Sequence, residues 1–187
     1  MSSVECRPIG LLTWTAYGTW LPGPARGWID AGSVQRDEPL PEPDPVISQQ
    51  RRRSLKWPPA HLQERQRDAI IDELPRIARL RDFEPRIMVA ASDHAHLLLA
   101  TQRVDIPRLV QLIKGALSRR LTILAGDAAA LSTSGGRLAH HKWWARQYSF
   151  RRIEREEHVQ AVQRRLIEHP PPVSRFPGAQ ASGPPLQ

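Results

Sequence analysis

The sequence predicts an α+β fold, an antiparallel sheet with helices packed on one face, and three observations point to it. Two strand-like runs, at 86–92 and 95–101, are too close together for anything but a hairpin around Asp93. Helical periodicity flanks that hairpin on both sides, and a further strand-like segment lies beyond each helix. The order strand, helix, strand, strand, helix, strand, helix is that of a split βαβ unit, the ferredoxin-like layout. No internal repeat is visible.

The first strand is expected at Ile9 to Tyr17, where Thr, Leu and aromatic residues suit a pleated surface. Gly18 to Gly23 then turns the chain. From 24 to 60 the sequence is rich in Pro, Asp, Glu, Arg and Gln without periodicity, including Pro41-Glu42-Pro43-Asp44-Pro45 and the basic run Arg51-Arg52-Arg53. It reads as a long surface insertion or a partly disordered loop. Within His61 to Leu80, Ile70, Leu74, Ile77 and Ala78 repeat at helical spacing, with a kink or a break into two helices expected at Pro75.

After the hairpin, Asp105 is the expected N-cap of a helix with Ile106, Leu109, Val110, Ile113, Leu117 and Leu121 on one stripe and Gly126 as its stop. Residues 127–141 read as a flexible connection and Lys142 to Phe150 as the next strand. A last helix over Glu154 to Glu168 carries Val159, Val162 and Leu166, and ends at His169-Pro170 because the residue before proline avoids the α region. One domain over 1–170 and a disordered tail over 171–187 follow from this reading.

The chain has 187 residues, 40% of them hydrophobic, enough for one compact core. Lys+Arg 27 against Asp+Glu 19 gives a net charge of +8, the balance of a protein that meets polyanions. Cys6 is the only cysteine, which excludes a disulfide framework and a thiolate zinc site. No segment resembles a signal peptide or approaches the roughly 18 apolar residues of a membrane span, so a cytoplasmic protein is expected.

The chemistry-bearing stretch is Asp93-His94-Ala95-His96-Leu97-Leu98-Leu99. Side chains at i and i+2 of a strand share a face, so His94 and His96 stand together and can hold one metal ion. Two imidazoles are an incomplete site, and a third protein ligand is needed. On the following helix Gln111, Lys114 and Ser118 share the polar face near Arg108, Arg119 and Arg120, an arrangement that can track a phosphate backbone. Trp143, Trp144 and Arg146 offer stacking surfaces for unpaired bases, or else the tryptophans pack the core. A bare RNA-binding sheet is disfavoured because the aromatic pairs expected on its central strands are missing.

The motif at 93–99 after a strand, the helix carrying Lys114, Trp144, Arg146 and Tyr148 at alternate positions, and the final helix together resemble the HUH single-tyrosine transposases. This family includes small insertion-sequence transposases and REP-associated tyrosine transposases. Leu12 to Gly23, with Arg26-Gly27-Trp28, resembles the start of one branch. The likeness covers about 9–30, 84–125 and 142–170. It implies a divalent cofactor, Mg²⁺ or Mn²⁺, a single-stranded or hairpin DNA partner, and a homodimer. The implied reaction is attack of a tyrosine on a DNA phosphate, leaving a 5′-phosphotyrosine and a free 3′-hydroxyl.

The resemblance also implies a nucleophilic tyrosine on the last helix and a third metal ligand four residues later, on the same helix face. Aligned on Leu166 to Pro170, those positions hold Arg165 and His169. His169 is thus the implied third ligand. Arg165 is a phosphate-binding residue that cannot act as a nucleophile, since its guanidinium stays protonated. Tyr148 is then the candidate nucleophile, Tyr17 being read as a sheet residue. Two alternatives stand beside strand transfer: a DNA-binding module without catalysis, and a metal-dependent single-strand nuclease that attacks with water.

Overall fold

The computed structural model describes residues 7–21, 44–102, 105–130 and 142–176. Its elements are β1 (Ile9–Ala16), α1 (Pro45–Arg53), α2 (Glu64–Arg81), β2 (Glu84–Ala91), β3 (His94–Ala100), α3 (Ile106–Ala130), β4 (Trp144–Ile153), α4 (Glu156–Ile167) and β5 (Val173–Phe176). The five strands form one sheet in the order β4-β1-β3-β2-β5, with every neighbouring pair antiparallel. The core of this sheet is the expected split βαβ arrangement: β1 and β2 are joined through α2 and run parallel with β3 between them.

Side-chain alternation gives the sheet two unlike faces. Leu12, Trp14 and Ala16 of β1 join Leu97 and Leu99 of β3 and Met88 and Ala90 of β2 in the main core, beneath α2 and α3. On the other face Leu98, Ile87 and Val89 meet Val159 and Leu166 of α4 in a smaller core. The expectation of helices on one face therefore holds for α2 and α3 and is corrected for α4. The unbroken apolar run Leu97-Leu98-Leu99 explains why, because it makes β3 apolar on both sides and gives α4 a surface to cover.

Several boundaries differ from those the sequence predicts. Part of the supposed insertion is α1, capped by the Asp44 carboxylate, which accepts from the Val46 and Ile47 amides at 2.8 and 3.0 Å. Residues 22–43 lie outside the described residues, as do 131–141 of the connection and 177–187 of the tail. α2 continues through Pro75 as a single helix. α3 begins as expected, with the Arg108 amide donating to the Asp105 carboxylate at 2.9 Å. It then runs past Gly126 to Ala130, because a glycine costs a helix only about 1 kcal/mol and three alanines follow close behind. The tail's first residues form β5, paired with the outer edge of β2. No helix among the described residues is long and apolar enough to cross a membrane.

β4 is irregular where it enters the sheet. Trp14 pairs with Tyr148 and Ala16 with Trp144, so two steps of β1 face four of β4, and the carbonyls of 145–147 leave the ladder. Trp143 and Trp144 are buried in the main core, Trp143 donating to the Thr122 hydroxyl at 3.1 Å and Trp144 lying edge-on to Trp14. Of the two readings offered for these tryptophans, packing in the core is the one their burial supports.

Candidate metal centre

β3 presents His94 and His96 on the α4 face, opposite Thr15 and Thr13 of β1. α4 ends with Leu166 buried in the smaller core, and the next turn of chain carries His169 back over the same face. One ligand atom from each of these three histidines lies within 4.8 Å of the others. The ring centroids are 4.8 Å apart for His94 and His96, 5.1 Å for His94 and His169, and 5.7 Å for His96 and His169.

The outer nitrogen of each ring is held by an oxygen. His94 Nδ1 lies 2.6 Å from the Asp93 carboxylate, His96 Nδ1 2.8 Å from the Thr13 hydroxyl, and His169 Nδ1 3.0 Å from the Pro170 carbonyl. All three oxygens can accept, so every ring can carry its proton on Nδ1 and turn the Nε2 lone pair inward. His94 Nε2 and His169 Nε2 are then 3.0 Å apart, and two bare lone pairs at that separation repel unless a proton or a cation lies between them. Nitrogens about 2.1 Å from one tetrahedral cation stand roughly 3.4 Å from each other. The donor set therefore fits a divalent ion.

Electrostatics point the same way. Burial, followed by the neighbouring His94, His169 and Arg165, holds His96 down to about 4 from its ordinary 6.5, with only Asp93 opposing. His96 is thus held neutral at physiological pH, the form in which an imidazole can bind a metal. The Arg175 guanidinium on β5 donates to the His169 carbonyl at 2.6 Å and ties that residue to the sheet. The Thr19 hydroxyl donates to the Ala16 and Asp93 carbonyls at 2.9 and 3.0 Å, fixing the turn that carries Asp93. Gly18 makes possible the turn after β1 that places Thr19 there, with φ of 72° and the Pro59 backbone close against it.

His94, His96 and His169 are brought together, and Arg165 stands near enough to act on His96. The other named residues are not. Tyr148 pairs with Trp14, whose ring is in the main core, so its side chain leaves the sheet on the face opposite the histidines. Tyr17 packs against the same main core. The sheet therefore stands between Tyr148 and the three histidines of the same chain. α3 also lies on that opposite face: Gln111 and Arg119 are exposed there and Ser118 is half-buried.

Lys114 is engaged elsewhere. Its Nζ donates to the carbonyls of Ala145, Arg146 and Gln147 at 2.6, 3.3 and 3.3 Å, filling the β4 bulge. Burial first and Lys142 second lower it to about 8. These bonds give Lys114 a structural role, holding α3 to the irregular part of β4. Sequence reasoning missed Thr13 and Arg175 as holders of His96 and His169. Thr13 was findable as the outward residue between two buried ones, whereas Arg175 gave no local signal.

A split βαβ domain with a cluster of three histidines on the α4 face, close enough together to hold a metal ion, is the class that fold and site define. No family model matches the chain, and no curated protein matches it. Solved structures similar to it include a presumed transposase from Deinococcus radiodurans R1, at 19% identity and a TM-score of 0.43 over 90% of this chain and 95% of that one. Another is a REP-associated tyrosine transposase bound to a REP hairpin, at 13% identity and a TM-score of 0.41 over 89% of this chain and 70% of that one.

Proposed function

We propose that this chain is a transposase-like protein that binds single-stranded or hairpin DNA at a divalent-metal centre of His94, His96 and His169, and cuts the strand with water. The observation that carries this reading is the three-histidine cluster with an arginine, and no tyrosine, on its face. A divalent ion held there supplies Lewis acidity toward a phosphate oxygen and toward an attacking water. The residues do the rest. His96 stays neutral, Asp93 and Thr13 fix the rings of His94 and His96, and Arg165 offers a planar, permanently charged fork to a phosphate.

The net charge of +8 supports a polyanionic partner. Attack by Tyr148 is not part of the proposal, since the sheet separates it from the histidines. A cytoplasmic homodimer is the form we propose for the protein, with sedimentation of the purified chain as the check on its oligomeric state.

The test is incubation of the purified protein with an end-labelled DNA hairpin bearing single-stranded flanks in Mn²⁺, resolved on a denaturing gel. Metal-dependent cleavage without a protein adduct is expected, lost in His94→Ala and His169→Ala. An adduct that survives denaturation would restore tyrosine chemistry. Binding indifferent to chelator, with no cleavage, would leave a DNA-binding module.

A further inference from the structure

α4 covers only part of the histidine face. Its apolar residues sit over Ile87, Val89 and Leu98, and over Ile153 beside the half-buried Ile9 and Leu11. The part of the face where β1 meets β4 carries Thr13, Thr15, Ser149 and Arg151. Thr13 pairs with Ser149 and Leu11 with Arg151, so Ser149 and Arg151 share the histidines' face. Both are exposed. None of these four residues is acidic, and hydroxyls and guanidinium groups are the donors that phosphate oxygens accept from.

Resting on the DNA-binding reading above, we infer that this strip, and not α3, is the track on which the single strand leaves the metal centre. Neighbouring strands are about 4.8 Å apart, so Ser149 lies two strands, roughly 10 Å, from His96, with Thr13 between them. Arg151 is the next residue along β4 on that face. Arg165 stands at the histidine end. A strand with one phosphate against Arg165 and the histidines lays its neighbouring phosphates over Ser149 and Arg151. The same strand cannot reach Gln111 or Arg119 without wrapping around an edge of the sheet, because α3 packs on the other side.

The experiment is fluorescence anisotropy of a labelled DNA hairpin with single-stranded flanks in Mn²⁺, at several salt concentrations, using the full chain. Arg151→Glu should weaken binding roughly tenfold or more and lower the salt slope by about 0.7, the share of one single-strand phosphate. Arg151→Lys should keep most of the affinity, and Arg119→Glu should stay within about twofold of the parent. Bound Mn²⁺ measured by paramagnetic resonance should be equal in all of them, which separates the track from the centre. Parent-level binding by Arg151→Glu overturns the track and leaves the DNA-binding reading intact, as does an equal or larger loss in Arg119→Glu. No binding by the parent protein overturns the DNA-binding reading and the track with it.

Discussion

His96 makes the metal-free protein sensitive to acid, and the size of the effect follows from its surroundings. Its folded value of about 4 against an ordinary 6.5 is caused mainly by burial. That depression of roughly 2.5 units corresponds to about 3 kcal/mol at ~1.36 kcal/mol per unit. Above pH 6.5 the ring is neutral in both states and costs nothing. As pH falls through 6.5 the unfolded chain takes up a proton that the folded chain refuses, so stability drops. The loss reaches about 2 kcal/mol at pH 5 and is complete only below about pH 4, once the folded ring is protonated too.

The assay is urea unfolding of chelator-treated protein at pH 7.5 and pH 5.0, for the parent and for His96→Asn. Asparagine keeps a polar group beside Thr13 but does not titrate. Groups away from the cluster contribute alike to both proteins, so the difference reports the His96 ring together with its coupling to His94 and His169. The parent should lose about 2 kcal/mol more than the variant between the two pH values. Parallel losses, within about 0.5 kcal/mol, would refute the argument that burial keeps His96 a neutral ligand.

Three further perturbations test the architecture. Lys114→Met removes the ammonium that fills the β4 bulge and should cost about 2 kcal/mol in urea unfolding, while the salt slope of DNA binding stays unchanged. Arg175→Ala should weaken Co²⁺ or Mn²⁺ binding roughly tenfold in isothermal titration with little change in melting temperature, because it frees the carbonyl that fixes His169. Gly10→Ala drives a methyl into the Phe150 ring and should destabilise by about 1–3 kcal/mol, most of it recovered when Phe150→Leu is added.

What the sequence made legible was what short-range periodicity controls. The β2–β3 hairpin followed from two apolar runs separated by two residues, and α3 from a stripe with Asp105 before it. β5 was not legible, because a four-residue strand among prolines exists through its pairing with the edge of β2, a partner about 85 residues away. α1 buries nothing, so no apolar stripe announced it. Its only local signs were Asp44 and Pro45, an N-cap followed by proline at the first helical position. The second apolar face of the sheet was readable from Leu97-Leu98-Leu99, a run that alternation alone does not explain.

The site divides along the same line. His94 and His96 share a face by the two-residue period of any strand, and no tertiary information is needed to say so. Which face of β4 carries Tyr148 depends instead on register. The bulge at 145–147 inserts two residues, an even number, so Tyr148 keeps the parity of Trp14 and goes to the helix-covered core side, while Ser149 keeps that of Thr13 and goes to the histidines. His169 and Arg165 then arrive as a pair. Leu166, buried between them, anchors the end of α4 in the smaller core and holds both residues at the centre. Arg165, four residues before His169, thus brings to the histidine cluster a guanidinium that can hold a phosphate but cannot attack one.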